Sequence, residues 1–182
     1  KERFKGVNDL VFASNGDLYF TDQGATGLHD PTGKVYKLTA TGQLSVLIDT
    51  CPSPNGLVLN KDESGIFIAV TRAAALWYAP FTASGTLLKT GIHARLPTTG
   101  PDGIALDVEG NVAVSHPGLG VAWLFNLQGL PIARVDSCAG HHVANLAYGG
   151  PENRWLYLME GDTFSVLRAE MPHAGQTMFS HM

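Results

Sequence analysis

Three times in this chain a polar residue heads a short apolar run: Asn8-Asp9-Leu10-Val11-Phe12, Asn55-Gly56-Leu57-Val58-Leu59 and Asp102-Gly103-Ile104-Ala105-Leu106, with 47 residues from each polar head to the next. Each copy continues through a turn into a second apolar run, Gly16-Asp17-Leu18-Tyr19-Phe20-Thr21, Gly65-Ile66-Phe67-Ile68-Ala69 and Gly110-Asn111-Val112-Ala113-Val114. Further apolar runs follow around Thr41-Gly42, Ser84-Gly85 and Gln128-Gly129, which gives four strands per unit. A period in the forties with several short strands per period is the mark of a β-propeller blade. No segment sustains a 3.6-residue apolar period, so helix is expected to be scarce. The expected fold is all-β, a β-propeller in one domain over 1–182, with units at about 1–50, 51–97, 98–138 and 139–182. Radial symmetry would bring the polar heads of the units together at one end of the central channel, and convergent oxygen ligands are how a hard metal ion is held.

A fourth copy is read at Val143-Ala144-Asn145-Leu146-Ala147-Tyr148, followed by Trp155-Leu156-Tyr157-Leu158. Aligning its apolar run on Ile104-Ala105-Leu106 puts Ala144 in the polar slot, and this register is preferred because a slip of one residue turns every side chain of a strand to the wrong face. Residues 165–169 supply a third strand, and no fourth follows. The last blade is expected to lack its outer strand, and the chain is expected to be four blades of a larger ring whose N-terminal portion is missing. Four such blades would expose unpaired strand edges, which are templates for association with a second copy or with the missing blades.

A net charge of −4 with scattered Lys and Arg offers no basic face, so nucleic acid is not an expected partner. No apolar run approaches the length of a membrane span, and no membrane association is expected. Cys51 and Cys138 fall two blades apart, too far for a disulfide, and stand in no metal-binding spacing. Free thiols point to a reducing compartment and a cytoplasmic location.

Asn8-Asp9-Leu10 with Tyr19-Phe20-Thr21-Asp22, the Pro54-Asn55-Gly56-Leu57 turn, Gly100-Pro101-Asp102-Gly103-Ile104 and residues 145–151 together resemble the gluconolactonase / senescence-marker-protein (SMP-30/regucalcin-like) family of six-bladed propellers. The tail, with Arg168-Ala169-Glu170-Met171-Pro172 and Met178-Phe179-Ser180-His181, resembles that family's C-terminal end. The resemblance implies a divalent metal, most often calcium, at the channel mouth and hydrolysis of a small-molecule sugar lactone. It implies Asn55 and Asp102 as metal ligands, with Asp102 also in a catalytic role, and Asn8 as a substrate-facing residue or a further ligand. The family's remaining ligand, a Glu of its first blade, has no counterpart: Glu2 precedes the wrong strand, and Glu63 and Glu109 lie in turns. Val70 stands where the family commonly has Asp.

His116, after the second strand of the third unit, is a candidate substrate-binding residue or a hydrogen-bonded loop residue. His141 and His142 lead into the fourth unit near the mouth, and His29 lies in a long loop that would overhang it. Trp77, Trp123 and Trp155 are expected to pack between blades. No nucleophile elbow or phosphate-binding loop is found. Two other functions stay open from the residues: phosphotriester hydrolysis of the diisopropylfluorophosphatase kind, and a non-catalytic β-repeat that binds or assembles. The absent Glu predicts little or no lactonase activity from this chain alone.

Overall fold

The computed structural model describes residues 3–98 and 100–179; Lys1, Glu2, Ser180 and His181, which figure in the sequence comparison above, lie outside the described residues. Fifteen strands form four antiparallel sheets in sequence order. The first blade comprises β1 (Val7–Phe12), β2 (Leu18–Asp22), β3 (Gly33–Leu38) and β4 (Leu44–Cys51). The second comprises β5 (Pro54–Leu59), β6 (Gly65–Val70), β7 (Ala75–Pro80) and β8 (Gly91–Arg95), and the third β9 (Ile104–Leu106), β10 (Val112–His116), β11 (Val121–Phe125) and β12 (Pro131–Asp136). The fourth has three strands, β13 (Val143–Gly149), β14 (Trp155–Glu160) and β15 (Ser165–Glu170). This is a four-blade propeller whose last blade, among the described residues, lacks an outer strand, as the sequence indicates. The helical content is two single turns, Thr71–Ala73 and Pro151–Asn153, and no helix among the described residues is long and apolar enough to cross a membrane.

Strand pairing fixes the register of the repeat. Leu10 pairs with Phe20, Leu57 with Ile68, Ile104 with Val114 and Leu146 with Leu158, so these four residues are equivalent. Ala144 therefore occupies the polar slot of the fourth blade. Two hydroxyls say the same from outside the ladder: Thr21 Oγ1 donates to the Asn55 carbonyl and Ser115 Oγ to the Ala144 carbonyl, each reaching the slot residue of the next blade.

The inner strands β1, β5, β9 and β13 neighbour one another in turn around the axis. Their approach is so close that the position after the slot has no room for a β-carbon in the two middle blades. One on Gly56 would lie 2.4 Å from the Asp102 carbonyl, and one on Gly103 would lie 2.1 Å from Asn145 Oδ1. Apolar side chains fill each space between blades. Val11, Leu57 and Ile68 pack between the first and second, Val58, Phe67 and Val114 between the second and third, and Leu124, Leu146 and Leu158 between the third and fourth. Trp77 and Trp123 pack at the edges of these clusters, and the Arg168 guanidinium lies 4.5 Å from the ring of Trp155. Cys51 closes β4 and is buried, and burial pushes its thiol up to about 12. Cys138 is exposed, and both are free.

The inner strands enclose a cavity of about 330 Å³. Asp9 and Asn145 stand at its N-terminal mouth, and Tyr148, Gln176 and Met178 at the other end. At that far end the chain after β15 crosses beneath the axis. Gly175 pairs with Asp107, the Gln176 amide donates to the Leu106 carbonyl, and Met178 packs on both the first and the second interblade clusters.

Candidate active site at the channel mouth

The mouth is built from backbone turns that enter the inner strands, where β-bulges precede Leu10 and Leu57. A bulge leaves a residue outside the ladder and re-aims its side chain. That is the local reason Asn8, Asp9 and Asn55 do not simply alternate between sheet faces.

Asn55 is buried, and its Nδ2 donates to Thr71 Oγ1 at 3.2 Å. Thr71 Oγ1 in turn donates to the Pro101 carbonyl at 2.8 Å, one residue before Asp102. A single hydroxyl thus ties the slot side chain of the second blade to the backbone that presents the slot side chain of the third. The Asp102 carboxyl is pushed up to about 6, first by burial; the charge on His142 and a hydrogen bond from Asn55 draw it down, and the Asp9 carboxylate raises it further. Asp102, Asn55, His142 and Asp9 therefore form one electrostatic cluster drawn from all four blades.

Asp9 enters this cluster from the position that is glycine in the middle blades. Its Oδ1 accepts from the Leu10 amide at 2.9 Å and its Oδ2 from the Leu57 amide of the next blade at 3.1 Å. Even so its pKa is raised, because burial outweighs these two hydrogen bonds. Asn145, the equivalent residue of the fourth blade, accepts from its own neighbour Leu146 through Oδ1 at 2.8 Å. The amides of His141 and His142 are held by Asp162 Oδ2 at 2.7 and 3.1 Å, which fixes the loop that carries His142 to the mouth.

Asn8 stands apart from the pair. It is exposed, and its Nδ2 donates to Gln23 Oε1 at 2.8 Å, while Gln23 Nε2 donates to Ser53 Oγ at 2.9 Å. It belongs to a polar rim, with no hydrogen bond to Asn55 or Asp102. His116 is fully buried at the end of β10. The indole of Trp123 donates to its Nδ1 at 3.2 Å, which leaves Nε2, 3.1 Å from Thr98 Oγ1, as the ring's donor. A β-carbon on Gly100 would meet the His116 ring at 2.6 Å. His116 therefore braces the segment leading to Asp102 and presents no free face to the mouth. His29 lies in a tight turn closed by the reciprocal hydrogen bonds of Gly27 and Asp30.

Asn55 and Asp102 are found together; Asp9 and His142 are the members of the cluster that sequence reasoning did not select. The signal for Asp9 was an acid where the two middle copies have glycine. The sequence brings His142 near the mouth with His141, but its field at Asp102 depends on the Asp162 anchor 20 residues further along the chain.

Calcium takes oxygen ligands, carboxylates and carboxamides among them. Asn55 and Asp102 supply that chemistry, and a cation would relieve the charge that burial penalises on Asp102. Among the described residues no three His, Cys, Asp or Glu side chains come together as a metal site; Asn55 and Asp102 are two side chains with oxygen donors of the kind calcium takes.

With this geometry in hand, residues 1–161 match the family model described as SMP-30/Gluconolactonase/LRE-like region. The chain belongs to that family. It is 29% identical over 167 residues to the gluconolactonase of Zymomonas mobilis, covering 81% of this chain and 46% of that protein. It is 28% identical over 134 residues to lactonase drp35 of Staphylococcus aureus strain MW2, covering 71% of this chain and 41% of that protein. Among solved structures it superposes on regucalcin, a calcium-binding protein from Agrobacterium tumefaciens, with a TM-score of 0.77 at 21% identity, over 95% of this chain and 63% of that one. The chain thus spans about half the length of the curated relatives it matches, within a family that includes lactone hydrolases.

Proposed function

We propose that this chain supplies the metal-holding half of a calcium-dependent lactone hydrolase. The observation that carries the reading is the meeting of the Asn55 carboxamide with the half-buried carboxyl of Asp102, whose pKa is pushed up to about 6. Asn55 and Asp102 would hold the ion, which when bound supplies Lewis-acid polarisation of the lactone carbonyl.

The chain's own groups do the rest. Asp102, ionised at neutral pH, accepts the proton of the attacking water and returns it to the ring oxygen. One C–O bond forms at the carbonyl carbon and the ring C–O bond breaks, giving a hydroxy acid with no net gain or loss of protons before the acid ionises. His142 lowers the cost of charge on Asp102, and Thr71 holds Asn55 and the Asp102 backbone in register. Asn8, braced by Gln23, would orient sugar hydroxyls.

Calcium titrated into the chain by calorimetry tests this reading. Binding that is lost in Asn55→Ala and in Asp102→Ala supports it; a chain that takes up no calcium, or takes it up equally in both variants, rejects it. With one family ligand missing from this stretch of sequence, turnover of gluconolactone by these residues alone should be weak or absent.

A further inference from the structure

A wide recess lies beside the mouth and plays no part in the chemistry above. It encloses about 710 Å³ between residues 23–29 of the first blade, Ser53, and Arg72 of the second. Its basic wall residues are Arg72 and His29, and no carboxylate lines it among the described residues, although the chain as a whole carries −4. The acid next to His29, Asp30, is turned to the Thr32 hydroxyl at 2.6 Å.

Two blades deliver these groups to one place. A β-carbon on Gly27 would lie 3.2 Å from His29 Nδ1 and 3.7 Å from Arg72 Cγ, so the two side chains close on the space that glycine leaves. Both residues are exposed, and the Arg72 guanidinium has no hydrogen bond or ion pair among the described residues. The recess also adjoins the proposed active site. Gln23, which walls it, accepts from Asn8 and is itself held by Ser53 of the same wall, and Arg72 follows Thr71, whose hydroxyl holds Asn55.

We propose that this recess receives a terminal oxyanion, so that the preferred lactone is one whose far end bears a phosphate or a carboxylate. The proposal rests on the lactonase reading and names the substrate class for it. Arg72 offers a planar fork that pairs with either group through two parallel hydrogen bonds, and His29, beside it at Gly27, adds a ring nitrogen as a further donor. A lactone ending in a neutral hydroxymethyl group would leave the guanidinium solvated and gain nothing there.

The test is a titration of the chain in calcium-containing buffer, followed by NMR at the His29 ring, with three ring-opened products: gluconate, 6-phosphogluconate and glucarate. One or both of the oxyanion-ended acids should bind at least about tenfold more tightly than gluconate, and which of them does so distinguishes phosphate from carboxylate. Arg72→Gln, at an exposed position, should erase that advantage and leave gluconate binding unchanged. Equal affinity for all three, or a preference that survives Arg72→Gln, overturns the proposal and leaves the lactonase reading standing. Failure of all three to bind overturns both.

Discussion

The inner strands of the first and second blades have nearly the same sequence pattern and opposite surroundings. All six residues of β5 are buried, whereas in β1 only Val11 is, with Val7 and Leu10 exposed at 59% and 56%. The fourth blade mirrors the first: Leu146 and Tyr148 of β13 are buried against the third blade, while Asn145 and Ala147 on the other face are exposed. A middle blade is sandwiched and an end blade is covered on one face only. Hydrophobic stabilisation scales with area removed from water, so the energy of this domain is concentrated in its middle. The site follows the same division, since Asn55 and Asp102 come from the two sandwiched blades and Asn8 from a half-covered one.

The largest effect should separate the two environments directly. Ile68→Ala in β6 removes a fully buried side chain and should cost about 2–5 kcal/mol, whereas Val166→Ala on the exposed face of β15 should stay within about 0.5 kcal/mol. Urea unfolding followed by tryptophan fluorescence measures both; comparable losses would erase the contrast.

A second effect concerns the ionisation of Asp102. Its pKa rises from 3.8 in the unfolded chain to about 6 in the fold. An acid with a raised native pKa favours the fold when protonated, so its contribution is full below about pH 4 and is lost as pH rises to about 6. The loss is at most about 3 kcal/mol, less after solvent screening. In calcium-free buffer Asp102→Asn should therefore be more stable than the parent at pH 7, by about 1–3 kcal/mol, and no more stable at pH 4. A variant destabilised at both pH values would show that the carboxyl is not strained by burial.

Thr71 comes third. Thr71→Val keeps the shape and removes the hydroxyl that links the second and third blades, and should cost about 1–2 kcal/mol; Thr71→Ser should recover most of it. Calcium affinity should fall in the valine variant and return in the serine variant, a pattern that general loosening of the fold would not give. The smallest effect is expected at the end-blade member of the repeat. Asn8→Ala loses one exposed hydrogen bond to Gln23 and should change stability by less than about 0.5 kcal/mol, which differential scanning calorimetry can bound.

Much of this was legible from the sequence because the repeat encodes blade geometry locally. The turn residues, the apolar alternation and the 47-residue spacing are statements about neighbours in the chain, and they gave the four blades, the short last blade and the register that puts Ala144 in the polar slot. What the sequence did not show depends on contacts between blades. That Asp9 would share a field with Asp102 required knowing how tightly β1 and β5 approach. That His116 would be walled in depended on Trp123 across a strand pair and on Gly100 from the preceding segment, and no spacing rule contains those encounters. Glycine at positions 56 and 103 reads as a turn residue in the sequence, but in the fold it is the gap through which the neighbouring strand passes.

The stretch after β15 has a consequence for how the domain is made. Gly175, Gln176 and Met178 return to strands of the three earlier blades, so the last blade is bound to the others from below as well as from the side. A ribosome delivers residues in order, and the blades could stack as they emerge, but the fastening of Met178 on the first and second interfaces waits until that residue has cleared the exit tunnel. Nascent chains stalled just before and just after that point should differ sharply in their resistance to protease, which would mark the moment at which four stacked sheets become one cooperative unit.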